Sequence, residues 1–209
     1  MTLDRRTPKE CFDAFRSDVS ALLSAVLGER LQVRAERRKD SPNRARLVLY
    51  DGGSKYVKLD SRAFGPLYFN LEQDLAADLV DGGLFRLATK QYWYRIYERE
   101  PDSETEPLFR WEYNAEQSQK HCKRHFHVGK VFKGDVQVPI QIKMRDDYKD
   151  LSRLHIPTGF TLFEHVLRFL LADLEVVPAC GDAWGKHLDD SEAHFFRELS
   201  PKTSTQTAK

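Results

Sequence analysis

The sequence predicts an α+β fold, in which a single twisted antiparallel sheet of about six strands is covered by an N-terminal helix and by C-terminal helices. Apolar residues recur at helical spacing near both ends of the chain, whereas the segments between them alternate between apolar and polar residues. Turn sequences such as Asp51-Gly52-Gly53 separate those segments and favour antiparallel hairpins. We expect residues 1–199 to form a single α+β domain and the small, polar residues 200–209 to form a flexible tail.

The first helix is well marked. Thr7 stands at the expected N-cap, Pro8 follows at the first helical position, and Glu10 lies three residues after the cap. The threonine hydroxyl can accept a hydrogen bond from an orphan backbone N–H, and the glutamate can reach back to the cap. Gly28 is a suitable residue to end this helix. The apolar residues between these signals recur at helical spacing: Phe12, Phe15, Val19, Leu22, Leu23 and Val26.

Predicted strands fill the middle of the sequence. Three leucines spaced by four interrupt them and predict a short helix over Asn70–Val80. Two further helices are predicted near the C-terminal end. One is opened by a second capping box, Thr161-Leu162-Phe163-Glu164, with the threonine as its cap, and the other covers Asp182–Leu199. The predicted strands are Leu31–Ala35, Arg46–Tyr50, Lys55–Leu59, Phe85–Tyr97, Leu108–Tyr113, His121–Val131 and, interrupted by Pro139, Val136–Ile142.

Composition argues against several classes of protein. Lys and Arg number 33 and Asp and Glu number 32, so bulk charge does not draw this chain to nucleic acid, although a local basic patch could. No apolar run approaches the ~18 residues that span a bilayer, and Met1–Glu10 lacks a signal-peptide core. The cysteines at 11, 122 and 180 are odd in number and far apart, which argues against a disulfide framework. We therefore predict a cytoplasmic protein with no membrane partner.

The segment Lys120–Lys130 carries the clearest chemical signal. It holds three of the seven histidines together with several lysines. On a strand, His125 and His127 point to the same face, about 7 Å apart at the backbone. Imidazoles so placed can act as acid and base on either side of a phosphodiester, or as two ligands of a metal ion. Flanking lysines would attract and stabilise phosphate.

Metal-independent RNA cleavage needs a base, an acid and a cation. Histidine suits the first two roles because its unperturbed pKa is about 6.5. We predict His125, His127 and Lys130 as catalytic residues, although histidines on a strand often merely pack or bond to a neighbour. The predicted substrate-binding residues are Arg95, Arg110, Tyr94 and Lys123.

Those substrate-binding residues also have ordinary structural interpretations. Arg95 and Arg110 lie on the two strands of a predicted hairpin, where they could clamp a phosphate together or simply pair with Glu98, Glu112 or solvent. Tyr94 could stack on a base or belong to the core of the sheet. The choice between catalysis and plain binding therefore stays open.

A metal site is the alternative use of the same histidines. His125 and His127 could bind zinc with a further ligand, for which Cys122 and His155 are candidates. The sequence has no C-x-x-C pair and no H-E-x-x-H motif, so we predict no cofactor. Whether His155 or His165 approaches the histidine strand is left open.

Five short segments carry a resemblance to a known family: Asp51-Gly52-Gly53, Tyr92–Tyr97, Leu108–Asn114, His125–Gly129 and Thr161–Glu164. Through them, residues 47–174 resemble the TumE-like family of bacterial toxins. This resemblance implies a toxin that is paired with an antitoxin encoded nearby and that acts on RNA. The alternative is a non-enzymatic module that binds protein or nucleic acid through its sheet face or an edge strand.

Overall fold

The structure, a computed structural model, describes residues 5–38, 40–115, 124–129, 156–157 and 161–199. These residues confirm the α+β class, with an antiparallel sheet and helices from both ends of the chain. The helices are α1 (Pro8–Leu27), α2 (Phe163–Arg168), which continues as a π-helical turn (Phe169–Asp173), and α3 (Trp184–Leu199). The strands are β1 (Leu31–Arg38), β2 (Ser41–Asp51), β3 (Val57–Ser61), β4 (Gly65–Val80), β5 (Leu84–Tyr97), β6 (Phe109–Asn114), β7 (Arg124–Val128) and β8 (Ile156–Pro157).

The strands follow each other across the sheet in the order β1-β2-β4-β5-β6-β7-β8. All described pairings are antiparallel. The long strand β4 pairs with β5 along one edge, and its other edge is shared by β3 near the start and β2 further on. The strands β5, β6 and β7 lie side by side, so the predicted hairpin and the histidine strand are neighbours.

The prediction of a helix over Asn70–Val80 is wrong, because this segment belongs to β4. A spacing of four residues is even, so it also places side chains on one face of a strand. Leu71 and Leu75 are buried on that face, whereas Leu79 is exposed near the strand end. Ladders on both edges of β4 favour the extended backbone over the local leucine spacing.

The helices cover one face of the sheet, and the core lies between them. The capping box of α1 forms as predicted: the Glu10 N–H donates to Thr7 Oγ1 at 3.2 Å, and the Thr7 N–H donates to Glu10 Oε2 at 3.1 Å. The helix packs its apolar stripe on the sheet, and α2 and its π-helical turn cover β5 and β6 with aromatic contacts. The side chains that α1 buries are Cys11, Phe12, Val19, Leu22, Leu23 and Val26.

The opposite face of the sheet, which we call the polar face, carries charged and hydrogen-bonding side chains. Strand alternation places them there, because each neighbour in sequence points into the core. The registers align them in rows across β1, β2, β4, β5, β6 and β7. The polar face includes Arg34, Glu36, Arg46, Glu72, Asp74, Trp93, Arg95, Arg110, Glu112, His125 and His127.

Some predictions fall on residues outside the described part of the chain. They concern the strand over Val136–Ile142, the tail of residues 200–209, and the two ends of the strand predicted over His121–Val131, of which residues 124–128 form β7. Among the described residues, no helix is both long enough and apolar enough to cross a membrane.

Candidate functional site

The two predicted histidines lie together on the polar face. His125 and His127 alternate along β7, and their ring centroids are 4.7 Å apart with the ring planes at 81°. Their neighbour Phe126 points to the other face, where it packs against Trp111. The alternation of the strand therefore produces the same-face pair that the sequence predicts.

A glutamate that the sequence reasoning missed joins the two rings. Glu112 lies opposite His125 in the β6–β7 register, and its Oε2 is 2.9 Å from His125 Nε2. The same oxygen is 3.8 Å from His127 Nε2. We call Glu112, His125 and His127 the triad. Its signal in the sequence was the alternation of Leu108–Tyr113, but only the register of β6 against β7 assigns this glutamate to the histidines.

Arg110 forms an ion pair with the other oxygen of the same carboxylate. Its Nε lies 3.1 Å from Glu112 Oε1, and Arg110 faces His127 in the register. The two oxygens of Glu112 therefore have different partners, because Oε1 faces a guanidinium and Oε2 faces two imidazoles. The ion pair favours this orientation of the carboxylate by charge alone, because the Arg110 Nε makes no hydrogen bond to it.

The members of the site differ in exposure. The His125 and His127 side chains are 7% and 5% exposed, compared with 21% for Glu112 and 33% for Arg110. His127 Nε2 itself has less than 1 Å² of exposed surface. A ligand that approaches from solvent therefore meets the arginine and the carboxylate before it meets the imidazoles.

The two predicted arginines stand side by side. Arg95 and Arg110 are direct partners in the β5–β6 register, and their side chains share the polar face. Like charges in this position repel one another, so nearby acids are needed to balance them. Arg110 pairs with Glu112, one of the glutamates that the sequence suggested, whereas Arg95 lies 3.9 Å from Glu72, which it did not suggest.

The structure places Tyr94 on the other side of the sheet. Its ring is buried in the core, where it stacks on Tyr92 with centroids 4.6 Å apart and lies near Phe163 of α2. Burial raises the pKa of Tyr94 well above 10. A base cannot reach this ring without disrupting the core, so Tyr94 is not part of the site on the polar face.

The other predicted residues divide into those outside the described part of the chain and His165. Lys123 and Lys130 lie outside the described residues, and so does His155. His165 belongs to α2, on the helical side of the sheet, and its Nε2 lies 3.1 Å from Glu192 Oε1 of α3. His165 therefore forms a separate histidine–glutamate pair.

A second polar cluster occupies the same face near β1, β2 and β4. Arg46 binds Asp74 with two contacts, from Nε to Oδ1 at 2.6 Å and from Nη2 to Oδ2 at 3.0 Å. Arg38 Nη2 lies 3.2 Å from Asp74 Oδ2, and Arg46 Nη1 lies 3.3 Å from Glu72 Oε2. The hydrogen bond to Asp74 raises the pKa of Arg46. We call these four residues the arginine network.

A cavity of about 110 Å³ opens beside the arginine network. Its charged lining has three cationic side chains and one carboxylate, although Lys90 also pairs with Asp78 at 2.9 Å. A positively charged recess on the same face as the triad can receive a phosphate group. The polar and charged residues around it are Arg38, Arg44, Asp74, Lys90 and Gln91.

Comparison with protein-family models, with curated proteins and with solved structures finds no match for this chain. The resemblance to the TumE-like family stays a prediction from the sequence.

Proposed function

We propose that this protein cleaves RNA by a metal-independent reaction on the polar face, as the toxin-like component of a bacterial toxin–antitoxin or defence module. The observation that carries the proposal is the convergence of two imidazoles on one carboxylate, beside two adjacent arginines. These groups supply a base, an acid and cations for the phosphate. The antitoxin partner would be encoded nearby, and both would act in the cytoplasm.

Glu112 is the proposed base, since it is the most exposed member of the triad. It removes the proton of the RNA 2′-hydroxyl, whose oxygen then bonds to phosphorus. The bond from phosphorus to the 5′-oxygen breaks, and His127 protonates that leaving oxygen. The products are a 2′,3′-cyclic phosphate and a 5′-hydroxyl, while Arg95 and Arg110 balance the charge of the phosphoryl oxygens.

The roles of the two histidines differ in this mechanism. His125 lies within hydrogen-bond distance of Glu112 and positions it, whereas His127 faces Arg110 and hence the proposed place of the phosphate. Because His127 Nε2 is shielded from solvent, the mechanism requires a local opening when RNA binds. Catalytic contacts commonly tighten only in the complex with substrate.

The test is a cleavage assay with the purified full chain, a chelator and labelled single-stranded RNA. We expect products that end in a cyclic phosphate, and no cleavage where the nucleotide 5′ of the scissile phosphate lacks its 2′-hydroxyl. Changing Glu112→Gln or His127→Ala should lower the rate by about 10²–10⁴, the usual contribution of general acid–base catalysis. Expression should arrest growth unless the antitoxin is co-expressed.

Glu192→Gln is the matched control, because it makes the same change at a glutamate that also lies beside a histidine, His165, but on the helical side of the sheet. It should leave the rate within a few-fold of the wild type. Cleavage that survives the Glu112→Gln and His127→Ala double change in a folded protein overturns the proposal. RNA that is bound but never cleaved assigns the polar face to a non-enzymatic binding module instead.

The sheet face suits that second function better than the sheet edge does. The outer strand β1 exposes charged side chains, which oppose pairing with a further strand. The polar face offers Trp93, with the guanidinium of Arg46 at 5.5 Å and that of Arg95 at 5.9 Å from its ring centroid. Aromatic and arginine side chains in this combination can stack on unpaired bases.

A further inference from the structure

We propose that the triad binds one divalent transition-metal ion, for which zinc is the best-fitting candidate. The ligand atoms of Glu112, His125 and His127 all lie within 4.8 Å of one another. In a tetrahedral site with bonds of about 2.0–2.1 Å, neighbouring ligand atoms are about 3.3 Å apart. The carboxylate oxygen lies 2.9 and 3.8 Å from the two imidazole nitrogens, so each of these distances is about half an ångström from that spacing. The ligand atoms of the two imidazoles lie within 4.8 Å of each other, so these must approach by at most about 1.5 Å when the ion binds.

The backbone holds these ligands in place before any ion arrives. His125 and His127 are alternate residues of one strand, and Glu112 is the register partner of His125 on the next strand. The ligands therefore sit on paired strands rather than on loops, which limits the entropy lost on binding. Arg110 adds an ion pair at Oε1, which leaves Oε2 directed at the imidazoles.

Burial favours a small ion at this place. The two imidazoles are nearly enclosed, so a bulky ligand cannot reach both nitrogens in the structure, whereas a single ion can lie between them and the carboxylate. The cation would also offset the negative charge of a partly buried carboxylate. A site with three protein ligands leaves a fourth position for water or another ligand.

The ligand set indicates the class of metal. Two imidazoles and one carboxylate suit zinc and other borderline transition ions, whereas calcium and magnesium prefer oxygen ligands alone. The pair formed by His165 and Glu192 offers a natural comparison, because it has one imidazole and one carboxylate and its histidine is largely exposed. It belongs to no group of three or more candidate ligands among the described residues.

Metal binding has a consequence that rests on the proposed function. The ion would occupy the electron pairs that Glu112 and His127 need for proton transfer. Zinc should therefore inhibit cleavage, and a chelator should restore it. Binding itself does not depend on cleavage, so the two parts can fail separately.

The binding test uses the full chain after treatment with a chelator. Titration with zinc, followed by calorimetry, and with cobalt, followed by its visible absorption, should give one ion per chain and a higher melting temperature. Glu112→Gln and His127→Ala should each weaken binding by at least about tenfold, the lower end of the effect of losing a mere outer-shell contact. His165→Ala and Glu192→Gln should bind like the wild type.

A measurement without mutation guards against variants that fail to fold. X-ray absorption at the zinc edge should count two imidazoles and no sulfur in the wild-type complex. A different imidazole count, a sulfur ligand, binding far below one ion per chain, or equal loss in the His165→Ala control overturns the site. If the protein binds zinc but cleaves RNA neither with nor without the ion, only the proposed function is refuted. If it cleaves RNA but does not bind zinc, only the metal site is refuted. If zinc instead stimulates cleavage, both the metal-independent mechanism and the proposed inhibition by zinc are wrong.

Discussion

The arginine network and the triad occupy the same face of one sheet but differ in what their groups can do. In the network, two guanidiniums meet two carboxylates, and Arg46 binds Asp74 through two contacts. Guanidinium groups stay protonated at neutral pH and have no free electron pair, so they neither act as acids or bases nor bind metal ions. In the triad, one carboxylate meets two imidazoles, which can do both. The comparison separates a part of the face that stabilises the fold from a part that is suited to chemistry.

The largest expected effect comes from a change that disrupts only the triad end of the face. Gly129 follows β7 directly, and a Cβ at this position would lie 2.0 Å from the backbone oxygen of Pro107. That oxygen belongs to the backbone before β6, so it cannot move aside as a flexible side chain would. Gly129→Ala should lower the free energy of unfolding by about 3 kcal/mol, the upper end for overpacking, as measured by urea denaturation.

The same variant should lose zinc binding, because β7 carries both imidazoles. Gly185→Ala is the matched control, since a Cβ there meets nothing within 4 Å and the residue lies within α3. It should stabilise the protein by up to about 1 kcal/mol. Wild-type stability in Gly129→Ala would mean that β7 can separate from β6 at no cost, and the geometry of the triad would no longer be fixed.

A smaller loss of stability is expected at the other end of the face. Asp74→Asn removes the charge that Arg46 and Arg38 share, but both guanidiniums remain partly exposed and water can solvate them. We expect the free energy of unfolding to fall by about 1–2 kcal/mol in urea denaturation, after allowance for this solvation. Zinc affinity should stay unchanged, because no ligand of the triad is touched.

Glu112→Gln makes the equivalent change in the triad and should behave in the opposite way. Its amide can still bond to an imidazole, and the replaced carboxylate was itself costly to bury, so stability should change by less than about 1 kcal/mol. Zinc binding and cleavage should fall sharply. If both variants lose stability equally and neither affects zinc, the division of the face into a structural and a reactive part is wrong.

The sequence predicts features that depend on local periodicity. The capping box of α1 and the shared face of His125 and His127 follow from neighbours in the chain, and both are present. Arg95 and Arg110 also follow from alternation within a hairpin. These features need no knowledge of how distant segments pair.

Features that depend on register or on tertiary packing were not predictable in the same way. Glu112 meets the histidines only because β6 and β7 pair in one particular register, and a slip of one residue would turn it into the core. The start of α2 differs for a similar reason: Leu162 is its N-cap, in place of the threonine cap that the sequence indicated, and its N–H donates to His165 Nδ1 at 3.3 Å. In both cases contacts beyond the local pattern decide the outcome.

The smallest expected effect tests whether RNA extends from the triad to the arginine network. Lys90 lines the cavity beside the network, and its partly exposed ion pair with Asp78 contributes about 0–0.5 kcal/mol to stability. With Glu112→Gln as the background, to prevent cleavage, Lys90→Ala should weaken the binding of long single-stranded RNA. It should also reduce the slope of log affinity against log salt by about one, the effect of losing one phosphate contact.

Lys186→Ala is the control for this last experiment, since it removes an exposed lysine from α3, away from the polar face. It should leave the salt slope unchanged, and a short RNA that covers only the triad should not respond to Lys90→Ala. An unchanged slope with long RNA would confine the nucleic acid to the triad end of the face. The arginine network would then only stabilise the fold, and the binding and cleavage of RNA would belong to the triad alone.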